Sequence, residues 1–493
     1  MSLPREIIFL LLITSTQLLT QAALGQNIAP LHVIGASFGV SDAGQLSWTA
    51  AAYSLTVGAC ILIAGRLGDV YGHRRLFVIG YVWFSLGSLG CGLSSYAPTI
   101  IPFDVFRAIQ GIGPALLLPN SLAILGRTYR NGPRKALAFG LYGACAPSGF
   151  IVGAVFASLL AETVGWQWAY YLLCILCAAL AVGTLLVIPA DEVAPPRLSL
   201  KHASRTLDLP GALLGVLGLC FVNFAFNQAP LVGWDTSYVL VFLILGLLLL
   251  GGFLFIEPRV GHPILPYHTF SGSTSFVLAC LVGGWGSFGV WVFYYYQQMT
   301  LEGANGLLIT ARASPVCFAG LVAGLATAAL FHRVPPSALL LISMLGFFVG
   351  SAVMAFRPVG QIYWGQAFVS TLLTPFGMDI SFPASTLILS NSMPKEHQGL
   401  AASIVATFVN YSISIGLGIA GTVEVHTNRN GTDEQRGFRG ATIAGVVMAG
   451  IAVLTAAAFF ASQSLHSSRE RRAEKQKEGE KATHAEKNDA GTP

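Results

Sequence analysis

Charge is what this chain has least of. Only 10% of its 493 residues are Asp, Glu, Lys or Arg, against about 25% in soluble domains. Hydrophobic residues make up 54% and mean hydropathy is +0.67, so lipid must be the solvent for most of the surface. The net charge of +5 is scattered over short loops and one tail, a distribution that gives no patch for nucleic acid. Enzyme motifs are missing too: there is no Walker loop, no H-E-x-x-H pair and no G-x-S-x-G elbow. The chain therefore reads as a non-enzyme without cofactor or metal, and any driving force is most simply an ion gradient. All eight cysteines (Cys60, Cys91, Cys145, Cys174, Cys177, Cys220, Cys280, Cys317) fall in apolar stretches, which suits buried small hydrophobes and not a disulfide framework.

Long apolar runs are what is present. A hydrocarbon core of about 30 Å needs roughly 20 helical residues. Such runs lie near 6–28, 46–65, 75–94, 99–125, 136–160, 166–189, 209–228, 236–256, 273–298, 307–331, 337–356, 361–390, 398–421 and 440–462. They predict an all-α membrane protein of fourteen spans. The first run also has features of a signal peptide, with Arg5 ahead of an apolar core and small residues after it. Gln17 and Gln21 favour a retained helix, because they lie one turn apart on a face suited to lining a polar cavity.

Basic residues concentrate in alternate loops and in the tail, which predicts that both termini are cytosolic. The last opposite-side loop carries Asn430-Gly431-Thr432, an N-glycosylation acceptor consistent with that orientation. Pro195-Pro196 with its basic neighbours reads as a linker. Pro119-Asn120-Ser121-Leu122-Ala123-Ile124-Leu125 is echoed by Pro383-Ala384-Ser385-Thr386-Leu387-Ile388-Leu389, an internal repeat eight helices apart. The organisation expected is a six-helix bundle in 1–189, a cytosolic linker in 190–208 and two inserted helices in 209–256. A second six-helix bundle follows in 273–462, and a charged tail in 463–493 is expected to be disordered.

One compact polar cluster stands out between the second and third runs, Gly65-Arg66-Leu67-Gly68-Asp69-Val70-Tyr71-Gly72-His73-Arg74-Arg75. It reads as a tight loop in which Asp69 needs a cation or a helix N-terminus as partner. Arg74 and Arg75 mark the cytosolic side. The pattern built on Gly65, Asp69, Gly72, Arg74 and Arg75 resembles the loop between helices 2 and 3 of the major facilitator superfamily of transporters. The alternative is a generic positive-inside turn. Val70 replaces the family's usual basic residue, which implies a reduced charge latch.

Four helices carry further candidates. In the fourth, Asp104 and Arg107 are spaced to pair on one face. Arg107, Gln110, Gly111 and Gly113 resemble a second superfamily motif whose arginine is implicated in proton transfer; a structural ion pair is the competing reading. In the fifth, Gly149 and Gly153 make a close-packing face and Pro147 bends the helix. This looks like the superfamily's antiporter motif, with Ala146 and Phe150 standing where glycines are usual. In the twelfth, Asp379 is a carboxylate inside a span, expected to face a cavity and carry a proton, or else to cap a helix broken at Pro383. In the ninth, Trp285, Phe288 and Gln298 are candidate cavity walls, while the Tyr294–Tyr296 run reads as an interfacial aromatic belt.

Together these resemble the fourteen-helix drug:proton antiporter branch. Residues 143–150 and 377–384 narrow the likeness to the fungal aminotriazole-resistance and low-affinity ammonium transporter group. That resemblance implies a monomer in the bilayer, in a plasma or vacuolar membrane, moving a small molecule against protons. The alternatives are a carrier or uniporter for a small solute such as ammonium or borate, and a non-transporting sensor.

Overall fold

The computed structural model describes residues 3–129, 133–189, 208–261, 263–265, 272–331, 333–393, 398–429 and 431–489. Fourteen helices in it are long and apolar enough to cross a membrane. We label them α1 (Leu3–Ile28), α2 (Ala43–Tyr71), α3 (His73–Leu93), α4 (Ile101–Thr128), α5 (Pro133–Thr163), α6 (Gln167–Val187), α7 (Leu209–Val232) and α8 (Ser237–Ile256). They continue as α9 (Gly272–Leu301), α10 (Gly306–Ala313 with Pro315–Leu330), α11 (Pro336–Ala355), α12 (Gln366–Asn391), α13 (Gln398–Thr427) and α14 (Glu434–Asp489). No strand occurs among the described residues.

Helices α1–α6 pack on one another, as do α9–α14, giving two six-helix bundles. The inserted pair α7–α8 lies outside them, with α7 against α2 and α13 and α8 packed on α7 and largely exposed elsewhere. Polar side chains fix that docking. Asn227 Nδ2 donates to Ser414 O (3.2 Å), and Ser414 Oγ bonds Asn223 Oδ1 (2.9 Å) and Ala51 O (3.0 Å). With no hydrophobic drive between helices in lipid, such bonds and close backbone approach hold a bundle together.

Three expectations change. The loop predicted at 65–75 is nearly absent, because α2 runs on to Tyr71 and α3 begins at His73. Gly72 makes the whole turn at φ +98°, where a side chain would be strained. The tail expected to be disordered continues α14 as helix to Asp489. Its Glu, Lys, Arg, Gln and Ala content explains this, since these are strong helix formers and no proline interrupts them. Finally, Tyr294, Tyr295 and Tyr296 are not a lipid-facing belt. All three are buried, with Tyr294 bonded to Glu424 and Tyr296 to Thr310. The linker 190–207 and Asn430 lie outside the described residues, so the sequon has no structural account.

Candidate functional site

The two halves meet along two seams. Along the first, α2 meets α13, and a Cβ on Gly58 would sit 2.8 Å from Tyr411 N. Contact persists to the end of α2, where a Cβ on Gly65 would lie 3.6 Å from Ser403 Oγ. The second seam, α5 with α10, behaves differently along its length. At the end of α5 away from Asp69, Gly306 abuts Ala29 O and Ser158 Oγ, and Phe150 stacks edge-on against Tyr296 at 6.2 Å. Midway, a Cβ on Gly320 would lie 3.1 Å from Pro147. One turn further toward the Asp69 end, Gly143 and Gly324 have no neighbour within 4 Å of such a Cβ. Along these glycines α5 and α10 are thus in contact from Gly306 to Gly320 and have clearance at Gly143 and Gly324.

Asp379 of α12 lies at the vertex where that contact ends, beside Gly320. Its Oδ2 would be 2.7 Å from a Cβ on Gly320, and it is buried without a hydrogen-bond partner. Cys317 Sγ, one turn before Gly320, donates to Pro147 O (3.5 Å). Pro147 leaves backbone groups of α5 unpaired within the helix. Two residues beyond Asp379, Ser381 Oγ accepts from Trp285 Nε1 (3.1 Å). Phe288 packs on Trp285 at 5.4 Å, with Phe347 behind both. Trp285 and Phe288 thus buttress α12 from inside the second bundle. Gln298 is elsewhere, in a pocket of about 250 Å³ at the end away from Asp69, beside Glu302, Arg357 and Arg439. Gln17 and Gln21 are half-buried on α1.

Helix α5 meets α1 at backbone distance. Cβ atoms on Gly149 and Gly153 would stand 2.2 Å from Leu18 O and Ala22 O. Phe150 at a usual glycine position is accommodated from the other side: Gly25 of α1 takes the small role against Phe150 O, leaving the ring free to reach Tyr296.

Arg107, Gln110, Gly111 and Gly113 of α4 are buried and Asp104 is half-buried, but the Asp104–Arg107 ion pair is not formed. Arg107 turns into the first bundle, where Nε donates to Thr49 O (2.9 Å) and Nη1 to Gln110 Oε1, with the guanidinium 4.4 Å over the Tyr53 ring. Gln110 Nε2 passes the chain on to Ser88 Oγ (2.8 Å). Asp104 Oδ1 stays buried without a partner. Gly111 and Gly113 let α4 approach α2 and α3, as a Cβ on either would collide with Thr56 or Phe84.

Asp69 lies beside the kind of partner the sequence expects: its side chain, 58% exposed, faces Arg127 (3.9 Å) and His73 Nε2 (3.4 Å) at the start of α3, both from its own bundle. The buried partner of the turn is His73, whose Nδ1 donates to Asn120 Oδ1 (2.7 Å). Arg74 donates to Leu185 O (2.7 Å) and Arg75 is exposed. Sequence reasoning missed His73, Asn120, Thr49, Cys317 and Gly320, which become meaningful only once the helices are brought together. It also missed Glu424, an acid placed beyond the end of its predicted span.

Two six-helix bundles with a pair of helices inserted between them in the chain are the architecture of a membrane carrier. The family model of the Major Facilitator Superfamily matches residues 10–417, and the chain belongs to that family. It is 49% identical to a low affinity ammonium transporter of Saccharomyces cerevisiae, over 96% of this chain and 92% of that protein. It is 42% identical to the efflux pump terJ of Aspergillus terreus, over 92% and 88%. To the aminotriazole resistance protein of S. cerevisiae it is 35% identical, over 95% and 86%. A crystal structure of a POT family transporter with 5-aminolevulinic acid superposes with TM-score 0.66 at 12% identity, covering 92% of this chain and 95% of that one, a likeness of fold. The protein is a multi-pass membrane transporter.

Proposed function

We propose that the chain is a proton-coupled efflux carrier for a small amphipathic molecule, working as a monomer with both termini cytosolic, in the plasma membrane. The observation that carries this reading is Asp379. An acid in a span is retained where its charge cycles or is paired, and Asp379 Oδ2 is buried, unpartnered and set where the α5–α10 contact ends. In this orientation the Asp69 face, toward which Gly143 and Gly324 have clearance, is cytosolic. A substrate entering there reaches Asp379 at the vertex, and binding and proton release compete for the same carboxylate. Arg107 cannot serve as the proton carrier, because a guanidinium stays protonated in proteins. Its bonds to Thr49 and Gln110 make it a brace between α2 and α4.

Relatives named for efflux and for aminotriazole resistance support an organic substrate. A second reading, ammonium as substrate, is favoured by the relative at 49% identity and by a carboxylate able to face a cation. Inside-out vesicles decide between them. With an imposed proton gradient we expect accumulation of an amphipathic dye that excess methylammonium does not compete away. Methylammonium accumulation without dye transport would assign the second reading.

A further inference from the structure

The second half contains another buried acid, at the opposite end of the molecule from Asp69. Glu424 lies in the last turn of α13 and is 5% exposed. Its Oε2 accepts one strong hydrogen bond, from Tyr294 Oη of α9 at 2.6 Å. Tyr294 is 1% exposed and held by Phe293 and Phe438. Two acids act on it from the packed elements, Asp42 at the start of α2 and Glu434 at the start of α14. Helix α14 also brings Arg436 and Arg439 near, either side of Gly437 that lies against Glu424, with Arg439 turned to Ala355 O and Arg357 O. Helix α7 carries no charged residue, and α12 carries only Asp379. On α13 itself His426 is exposed and bonded to Thr422 O. No Lys or Arg nitrogen lies within salt-bridge distance of Glu424 among the described residues. A carboxyl buried with one hydroxyl partner has no bonded cation to balance a charge there.

The place of Glu424 gives that chemistry a use. It sits where the end of α13 meets the start of α2 and the end of α9, the end of the seams that is closed here, with Gly306 on Ala29 and Phe150 on Tyr296. We propose that Glu424 is a second proton-binding site, which must be protonated for this face of the transporter to close. Opening hydrates the carboxyl and releases its proton to the solution on that side; closing requires the proton back. Asp379 then exchanges protons with the Asp69 face and Glu424 with the other. Only this division of labour rests on the proton-coupled reading. The closure itself is a property of Glu424 and its surroundings, independent of substrate.

Spin labels on Val164→Cys, after α5, and Leu308→Cys, in the first turn of α10, would report closure as a distance by pulsed EPR. The background is a cysteine-free chain that still shows downhill flux. Both positions are exposed and outside the sites described. With the unsubstituted Glu424, the open:closed ratio should rise with pH by up to about tenfold per unit, the limit for one linked proton. In Glu424→Gln, which keeps the shape and cannot ionise, the short distance should persist from pH 5.5 to 8. In Asp379→Asn the pH-dependent opening should remain, which separates this site from the coupling site. Should Glu424→Gln not fold, Glu424→Asp decides, with a displaced midpoint expected. The proposal is overturned if the distance does not change with pH, if Glu424→Gln opens as the parent does, or if Glu424→Asp leaves the midpoint unmoved.

Discussion

Arginine 107 shows at the scale of one residue what spacing reveals and what it conceals. An arginine inside an apolar span announces a buried polar network in the sequence alone. Its partner does not follow from spacing, because Asp104 on the same helix competes with carbonyls and rings that only the packed α2 supplies. The Thr49 carbonyl and the Tyr53 face win. Since Arg107 braces two helices, Arg107→Ala should reduce both proton-driven and downhill flux in vesicles. Loss of the driven flux alone would point to a direct part in proton transfer. Asp69 gives the complementary lesson. Its pattern is legible, but its exposure depends on how far α2 extends past the apolar run. The exposed contact with Arg127 contributes under about 1 kcal/mol, which leaves little for a latch in this state.

At the scale of the element, glycine positions separate contact from clearance. The α5 sequence offers Gly140, Gly143, Gly149 and Gly153 without saying which face backbone. The structure divides them: Gly149 and Gly153 touch α1, whereas Gly140 and Gly143 have open space. Gly153→Ala should lower the midpoint of thermal unfolding in detergent, as its Cβ meets Ala22 O and the helices must separate. Gly140→Ala should be neutral or raise it, by up to about 1 kcal/mol from helix propensity. Equal effects would contradict the α1–α5 packing. Helix existence was readable throughout, because span length and hydropathy are set by the bilayer. Helix ends were less so. The apolar window of α13 closes at 421, so Glu424 reads as loop, although the helix runs to Thr427 and buries it.

For the whole molecule, the repeat joining Pro119–Leu125 to Pro383–Leu389 gives the two-bundle plan before any coordinates. It does not give the state. Contact along α5–α10 at one face with clearance at the other is one of two packings open to the same sequence. Orientation in the membrane is testable apart from the state. A reporter fused beyond Ser467 should read cytosolic, and Asn430→Gln should remove a glycan mass shift. An extracellular reporter would reverse the assignment of both faces.

The account turns on Asp379 as the proton carrier, and counterflow against gradient-driven accumulation in the same vesicles tests it most directly. Asp379→Asn keeps the size of the side chain and removes its titration, so it should abolish proton-driven accumulation while downhill exchange of substrate continues. Accumulation that survives intact in Asp379→Asn vesicles would contradict the assignment and move the search to Asp104, whose Oδ1 is also buried without a partner.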